Sequence, residues 1–424
     1  MLILPFLVVA LFLQVKFPLL PGLRDFLYGL ILLSACSAIF YPPESGNFIT
    51  YANAFLSTSL IIRAVELLLV RNLSHVKRLQ KVSYLSSSPL YAWEPISPTL
   101  GLKRFLQVCD LVINPRAIGW SYGSPKYQPP LQKMDAPDGT NGCIPECQNI
   151  GLVAEGDRFS FLTGKLCRVA VAYVLIDSYQ AAIGRNYAGV CEGIEAFLTG
   201  VLGIQASPAT SEMLMQLCIL PTFCWMISYA FVDGIHAAGG IFSVGILRVI
   251  SPQIAGDPWM YPPVFGAMQY LFTFSLRDIW GKMWHDLCRR PFLALSLALI
   301  PDSCPTGLKR FLVICVSFAV SGIVHSAGTY SVSKDWFAVG VMMVFFCSLP
   351  FFLAMQQIIS EQILPRTFPR NSSISRVAIW LFNATFLMVW GHYTSPWYLR
   401  YSELPEAMAS IPLPFSLWRT LFKV

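Results

Sequence analysis

The chain has 424 residues, of which 55% are hydrophobic and 12% are charged, and its formal net charge at pH 7 is +7. A soluble protein has about 25% charged residues, so this chain has too few charges to cover its cores in water. The composition therefore excludes an ordinary soluble domain and predicts a surface that faces lipid. No run of Lys and Arg is dense enough to follow a phosphate backbone, so nucleic acid is not an expected partner.

Apolar runs long enough to cross a bilayer as helices recur along the whole chain. Because backbone groups in lipid must be paired within a helix, we predict an all-α, polytopic transmembrane bundle of about 8–11 spans. It is expected to form one integral-membrane domain over residues 1–424. The predicted spans are Leu2–Leu20, Phe26–Tyr41, Phe48–Val70, Cys167–Ile183, Met213–Val232, Gly234–Ile250, Phe311–Tyr330, Trp336–Ile358 and Val377–Tyr393, with further helices at Gly189–Gln205, Val264–Phe274 and Phe292–Ile300.

A long polar loop interrupts the spans at residues 71–160. Nine Lys and Arg lie between Arg71 and Lys133, where only Glu94 and Asp110 oppose them. By the positive-inside rule this loop is predicted to be cytoplasmic, and its length predicts an ordered pad or a lid on the bundle. The pair Cys143 and Cys147 in this loop has no histidine nearby, so no metal site is predicted.

Ionisable residues in apolar surroundings are the informative ones in a membrane protein. Residues Ser275–Pro291 carry seven of them between two apolar stretches, so this segment is not a lipid-facing span. As one helix it would pair Asp278 with Lys282 and present a second face. That face consists of Arg277, Gly281, Trp284, His285 and Cys288. An interfacial helix in the aromatic belt and a functional site both remain open.

His325 is the second ionisable group in an apolar setting. The 14 residues from Phe311 to Val324 carry no charge, and Ser317, Ser321 and Gly328 share the face of His325 on a helix. Small residues there leave space beside the imidazole for a substrate or for a close helix. On spacing alone, catalysis and a hydrogen bond between helices are both compatible with this pattern.

Four motifs together resemble the wax-synthase-like branch of the membrane-bound O-acyltransferase family. Ser275-Leu-Arg-Asp-Ile-Trp-Gly-Lys-Met-Trp-His285 is similar to its core motif, with Ile279 in place of the usual phenylalanine. The other three matches are Pro262-Pro-Val-Phe-Gly266, Val320-Ser-Gly-Ile-Val-His325 and Asn114-Pro-Arg-Ala-Ile-Gly-Trp120, the last as in fungal members. The family usually has an acidic residue after the later histidine, where this chain has Ser326.

The resemblance implies an O-acyltransferase that uses an acyl-CoA co-substrate and a hydrophobic alcohol, with no permanently bound cofactor. It also implies an endoplasmic reticulum membrane. Fungal members often acetylate terpenoid or meroterpenoid alcohols in secondary-metabolite biosynthesis, so acetyl-CoA is the expected donor. Acylation of long-chain alcohols or sterols is the alternative within the family. A multi-pass transporter is the alternative from another class, although no internal repeat is visible in the sequence.

Acyl transfer from a thioester to an alcohol requires a base that takes the hydroxyl proton and a hydrogen-bond donor that stabilises the oxyanion. The resemblance implies that His325 is the general base. We predict that His285 donates a hydrogen bond that orients the acceptor or the thioester carbonyl. The predicted substrate-binding residues are Trp280, Trp284, Arg277, Asp278 and Ser321, and the predicted contacts to CoA phosphates are Lys282, Arg289 and Arg290.

Overall fold

The computed structural model describes residues 3–14, 21–42, 46–85, 88–127, 132–133, 150–152, 157–250, 256–367 and 372–422. In these residues the chain is a bundle of helices, as predicted for an all-α membrane protein. The helices are α1 Ile3–Gln14, α2 Pro21–Phe40, α3 Asn47–Val65, α4 Leu102–Ile113, α5 Arg158–Tyr179, α6 Tyr187–Gly200, α7 Pro208–Leu214, α8 Leu220–Gly240, α9 Leu247–Ile250, α10 Leu276–Asp278, α11 Arg289–Leu299, α12 Thr306–Ser333, α13 Trp336–Ile358, α14 Leu364–Thr367, α15 Ser373–Tyr401, α16 Leu404–Ala409 and α17 Leu417–Phe422.

Six helical segments of the described chain are long and apolar enough to cross a membrane, and two shorter apolar helices accompany them. The prediction of about 8–11 spans is therefore met only at its lower end, and only if both short helices cross. The six are Asn47–Val70, Arg158–Arg185, Pro208–Ile250, Thr306–Ser333, Trp336–Thr367 and Ser373–Tyr401, and the shorter two are Leu4–Leu13 and Asp25–Phe40.

Three of the predicted elements are different in the structure. Met213–Val232 and Gly234–Ile250 were expected as separate spans, but they form one helical segment because α8 continues through Gly234 and a π-helical turn joins it to α9. Val264–Phe274 was expected as a helix, but only Met268–Thr273 turns, as a 3-10 helix. Val264 and Gly266 instead form backbone hydrogen bonds with Asp286 and Met283.

Helix α12 lies at the centre of the part of the bundle that carries the site. It packs against α3, α11 and α13. Val320 and Val324 of α12 form a buried apolar cluster with Ile62 of α3. Because these contacts come from helices on several sides, side chains in the middle of α12 are fixed relative to α3 and α13.

The long loop contains a four-stranded antiparallel sheet, which the sequence analysis did not predict. Its strand order is β1-β2-β4-β3. The strands are β1 Lys77–Leu85, β2 Ser88–Pro95, β3 Gln132–Lys133 and β4 Ile150–Leu152. Arg63 of α3 fastens the end of α4 to the bundle, because it donates to the carbonyl oxygens of Leu111 (2.5 Å) and Asn114 (3.2 Å) and pairs with Glu66.

The described part of the loop is thus ordered against the bundle, whereas its cytoplasmic orientation stays a prediction. Cys143 and Cys147 lie outside the described residues.

Candidate active site

His325 lies in the second half of α12 and contacts side chains from two neighbouring helices. Its ring stacks on Phe346 of α13, with centroids 4.7 Å apart and an interplanar angle of 17°. The ring of Phe55 on α3 meets it edge-on at 5.1 Å. The hydroxyl of Tyr51, also on α3, is 3.3 Å from Nδ1. Nδ1 of His325 is therefore in contact with the phenol of Tyr51.

The segment that carries His285 is broken where a single helix was predicted. Helix α10 passes into a π-helical turn over Ile279–Met283, and Trp284 is then extended at φ −63° and ψ 152°. Helix α11 begins only at Arg289, so the predicted common face of the segment does not form. The predicted pair of Lys282 with Asp278 is present at 2.7 Å.

A short backbone pairing explains the break before His285. The amide of Gly266 donates to the carbonyl of Met283 (2.9 Å), and the amide of Asp286 donates to the carbonyl of Val264 (3.3 Å). A Cβ at position 266 would lie 1.9 Å from the carbonyl oxygen of Lys282, so only glycine permits this approach. These long-range bonds satisfy backbone groups that a continuous helix would otherwise satisfy locally.

Arg116 from the long loop holds this pairing from its other side. It is 4% exposed and donates to the carbonyl oxygens of Pro262 (2.9 Å) and Pro263 (2.8 Å). Its Nε lies 2.8 Å from a carboxylate oxygen of Asp286, the residue directly after His285. His236 of α8 adds a contact of 2.9 Å between Nε2 and the oxygen of Pro262.

Three of the motifs from the sequence analysis therefore meet beside His285. The contact between Arg116 and Asp286 was not predicted from the sequence, because the two residues are 170 positions apart and no local pattern relates them. The presence of Arg116 in a motif was the only available signal.

Aromatic rings surround His285. Its ring lies 5.3 Å from that of Trp284 and 5.8 Å from that of Phe265. Trp284 in turn contacts Trp225 of α8 at 5.6 Å and Trp280 at 5.7 Å. The two motif tryptophans are therefore in contact with each other, whereas Trp225 was not named from the sequence.

Burial lowers the pKa of His285 to about 4, with Arg289 acting in the same direction and Asp286 opposing it. Its imidazole is therefore neutral at pH 7. In the described residues its buried Nδ1 has no hydrogen-bond partner, which is uncommon for a buried polar atom. The ring of Trp280 lies 6.1 Å from that of Phe318 on α12, so the segment before His285 packs against the helix that carries His325.

A cavity of about 340 Å³ opens beside Trp284. It is lined by three cationic residues, Lys126 of the loop together with Lys282 and Arg289. Trp284 belongs both to the wall of this cavity and to the aromatic group around His285. Asp286, the residue directly after His285, also lines the cavity, whereas neither imidazole is among its lining residues.

The remaining predicted site residues lie elsewhere. Arg277 is half-exposed and pairs with Glu361 at 2.9 Å. Arg290 donates to the carbonyl oxygen of Tyr122 in the long loop, and it is not among the residues that line the cavity. Ser321 lies one helical turn before His325 and is half-buried.

Residues 261–348 match the profile of the membrane bound O-acyl transferase family. The chain is 22% identical over 350 residues to O-Mevalon transferase yanI of Aspergillus niger, which covers 77% of this chain and 68% of the relative. It is 26% identical over 298 residues to Acetyltransferase atnC of Arthrinium sp, which covers 68% and 64%. It is 30% identical over 189 residues to Acetyltransferase TRI7 of Fusarium sporotrichioides, which covers 40% and 41%.

The chain thus spans about two thirds of the length of the first two relatives and less than half of the third. No solved structure matches it significantly. The matched stretch contains the Ser275–His285 motif and His325. The resemblance to membrane-bound O-acyltransferases and the assignment to this class of enzyme, both predicted from the motifs, are confirmed at the level of the family.

Proposed function

We propose that this membrane-bound O-acyltransferase transfers the acetyl group of acetyl-CoA to a hydroxyl of a terpenoid or meroterpenoid alcohol in fungal secondary metabolism. The observation that carries the proposal is that the segment before His285 packs through Trp280 on Phe318 of α12, the helix of His325, beside a cavity lined by Lys126, Lys282 and Arg289. The fungal relatives named acetyltransferases support acetyl as the group transferred. An endoplasmic reticulum membrane is part of the same proposal.

In the proposed reaction, Nε2 of His325 takes the proton of the alcohol as its oxygen attacks the thioester carbonyl carbon. The carbonyl oxygen becomes an oxyanion, which accepts a hydrogen bond from His285. The C–S bond then breaks, and the CoA thiolate takes the proton from Nε2. The buried, unpartnered Nδ1 of His285 supports its role as the donor, because this atom lacks a hydrogen bond until a ligand arrives.

The cationic cavity is the proposed contact for the phosphates of CoA. Lys126, Lys282 and Arg289 line it, and charge-assisted hydrogen bonds from such groups favour phosphate oxygens. The phosphates would remain near the polar loop while the thioester passes Trp284 toward His285. Arg290, which the sequence analysis assigned to the same phosphates, is instead proposed to hold the loop through its bond to Tyr122.

The proposal is tested with microsomes that contain or lack the protein, supplied with labelled acetyl-CoA and separately with farnesol, ergosterol or hexadecanol. Mass spectrometry is expected to find a gain of one acetyl unit on farnesol. Preferential esterification of ergosterol or hexadecanol would favour the alternative within the family. Absence of any ester, with accumulation of an alcohol in sealed vesicles, would contradict the enzyme and favour a transporter.

The identity of the transferred acyl group has a specific alternative to acetyl, because one relative is named an O-mevalon transferase. Long-chain acyl-CoA in place of acetyl-CoA tests a wider range of donors in the same assay. The crowded aromatic rings around His285 support a short acyl group. A faster rate with palmitoyl-CoA than with acetyl-CoA would contradict this part of the proposal.

A further inference from the structure

We propose that Tyr51 is a positioning residue that fixes the tautomer of His325, an inference that rests on the proposed general-base role of that histidine. Tyr51 lies on α3, and its hydroxyl is 3.3 Å from Nδ1 of His325 although 274 positions separate the two residues. Tyr51 is 6% exposed. Little water can therefore compete for this hydrogen bond, which is stronger in such surroundings than in solvent.

The packing of α3 on α12 keeps the phenol of Tyr51 in this place. Gly328, which lies close to one turn after His325, is buried, and a Cβ on it would lie 2.8 Å from the ring of Tyr51. A larger residue at 328 would therefore push the phenol away from the imidazole. Phe346 and Phe55 contact the imidazole as well, so the ring of His325 is held from more than one direction.

The proposed direction of this hydrogen bond, from Nδ1–H of His325 to the phenol oxygen, makes Nε2 the base. A neutral imidazole carries its proton on one nitrogen and a lone pair on the other. When Nδ1–H donates to the oxygen of Tyr51, the lone pair is on Nε2, which takes the alcohol proton. The imidazolium keeps its bond from Nδ1–H to the same oxygen, and Nε2 returns its proton to the CoA thiolate as the C–S bond breaks.

An oriented histidine base usually donates its second N–H to a carboxylate or a carbonyl group. In the described residues no carboxylate pairs with His325. Ser326, directly after it, donates to the carbonyl oxygen of Val339 at 3.4 Å. The phenol of Tyr51 is therefore the side chain that takes over this orienting contact.

The substitution Tyr51→Phe tests the inference because it removes the hydroxyl and keeps the ring beside Gly328. Rates are measured in microsomes with labelled acetyl-CoA and the best alcohol among farnesol, ergosterol and hexadecanol, at equal amounts of inserted protein. The kcat is expected to fall about ten- to a hundredfold, the effect of losing a hydrogen bond to a charged group, with both KM values within about twofold. Tyr330→Phe is the matched control, because Tyr330 lies on α12 but contacts Phe40 and Trp336.

A second variant, Gly328→Ala, displaces the phenol without removing its hydroxyl. It is expected to lower kcat as Tyr51→Phe does, and the double variant is expected to lose little more than either single one. Additive losses would overturn the inference. A wild-type kcat for Tyr51→Phe would also overturn it, and so would a change confined to KM.

His325→Ala, assayed alongside, separates the two proposals. An inactive His325→Ala with a normal Tyr51→Phe contradicts only the role of Tyr51. A fully active His325→Ala contradicts the general-base assignment itself.

Discussion

The two imidazoles of the candidate site are held by different kinds of structure. His325 lies inside the 28-residue helix α12, where ring packing and the phenol of Tyr51 hold its side chain. His285 lies outside any helix, after a π-helical turn, where pairing with Val264–Gly266 and the contacts of Arg116 hold its backbone. A helix fixes a residue through hydrogen bonds to near neighbours, whereas the position of His285 depends on residues far away in the sequence.

The comparison has a consequence for substitutions. Hydrogen bonds within α12 hold the backbone around His325. Substitution of a distant residue that contacts only this backbone is therefore expected to have little effect on activity or stability. Around His285, a distant residue such as Arg116 is expected to matter for both activity and stability. Five predictions test this contrast, beginning with the largest expected effect.

Replacing His325 by alanine is expected to give the largest loss. Removal of a general base lowers the rate by about 10²- to 10⁴-fold, while the protein should still insert into membranes. Acetyl transfer is measured in microsomes at matched protein levels. His392→Ala is the control, because His392 is exposed and its ring contacts Tyr393. Wild-type turnover in His325→Ala would rule out the base assignment.

Replacing His285 by alanine is expected to lower kcat by about 10²- to 10³-fold, the cost of removing an oxyanion donor. His285→Asn is expected to retain activity within about tenfold of wild type, because an amide N–H can donate in the same way. The same microsome assay measures both variants. Equal losses in the two variants would argue against the donor role.

Replacing Arg116 by lysine is expected to lower kcat about tenfold and to reduce stability by about 1.5–3 kcal/mol. Lysine keeps the charge but loses the paired donation to the carbonyl oxygens of Pro262 and Pro263. Activity and thermal inactivation of the detergent-solubilised protein are measured, with the exposed Arg366→Lys as control. Unchanged activity would show that His285 does not depend on this contact.

Replacing both Lys282 and Arg289 by glutamine is expected to raise the KM for acetyl-CoA about tenfold and to leave kcat within about twofold. The wild-type KM is expected to rise with salt, because these half-exposed cations are screened, and that dependence should weaken in the variant. Lys309→Gln is the control, since Lys309 pairs with Asp302 on the surface. A fall in kcat with an unchanged KM would contradict the CoA assignment.

The smallest expected effect is that of pH on His285. Its pKa, lowered to about 4 by burial, lies below the ordinary value of 6.5, so the neutral form persists as pH falls from 8 to 6. The unfolded chain binds a proton at His285 at a higher pH than the folded protein does. The free energy of unfolding is therefore unaffected by this group above about pH 6.5 and decreases as the pH falls toward 4. The pH–rate profiles of wild type and His285→Asn should therefore coincide above about pH 6. A wild-type decline near pH 6.5 that His285→Asn lacks would contradict the shift.

Several features of the site were accessible from the sequence. Asp278 and Lys282 form the pair that their i, i+4 spacing predicts, because that turn remains helical enough to bring them together. The long apolar run before His325 predicted a helix, and α12 contains all of it. Lys282 and Arg289 were both predicted to contact the phosphates of CoA, and both line one cavity with Lys126.

Other features could not be predicted in this way. The break after Met283 depends on hydrogen bonds from Gly266 and to Val264, and helical periodicity carries no information about such partners. Arg290 was predicted to contact the phosphates of CoA together with Arg289. Successive residues at the start of a helix point in different directions, and Arg290 contacts Tyr122 while Arg289 lines the cavity.

The sequence by itself determined the membrane-spanning helical class and the resemblance to membrane-bound O-acyltransferases, because hydrophobic runs and local motifs are properties of neighbouring residues. The tertiary structure decided which side chains surround each imidazole, namely Tyr51 beside His325 and Arg116 with Asp286 beside His285. These contacts join residues from distant parts of the chain. They form only when separate helices and the long loop pack together, so patterns among neighbouring residues do not predict them.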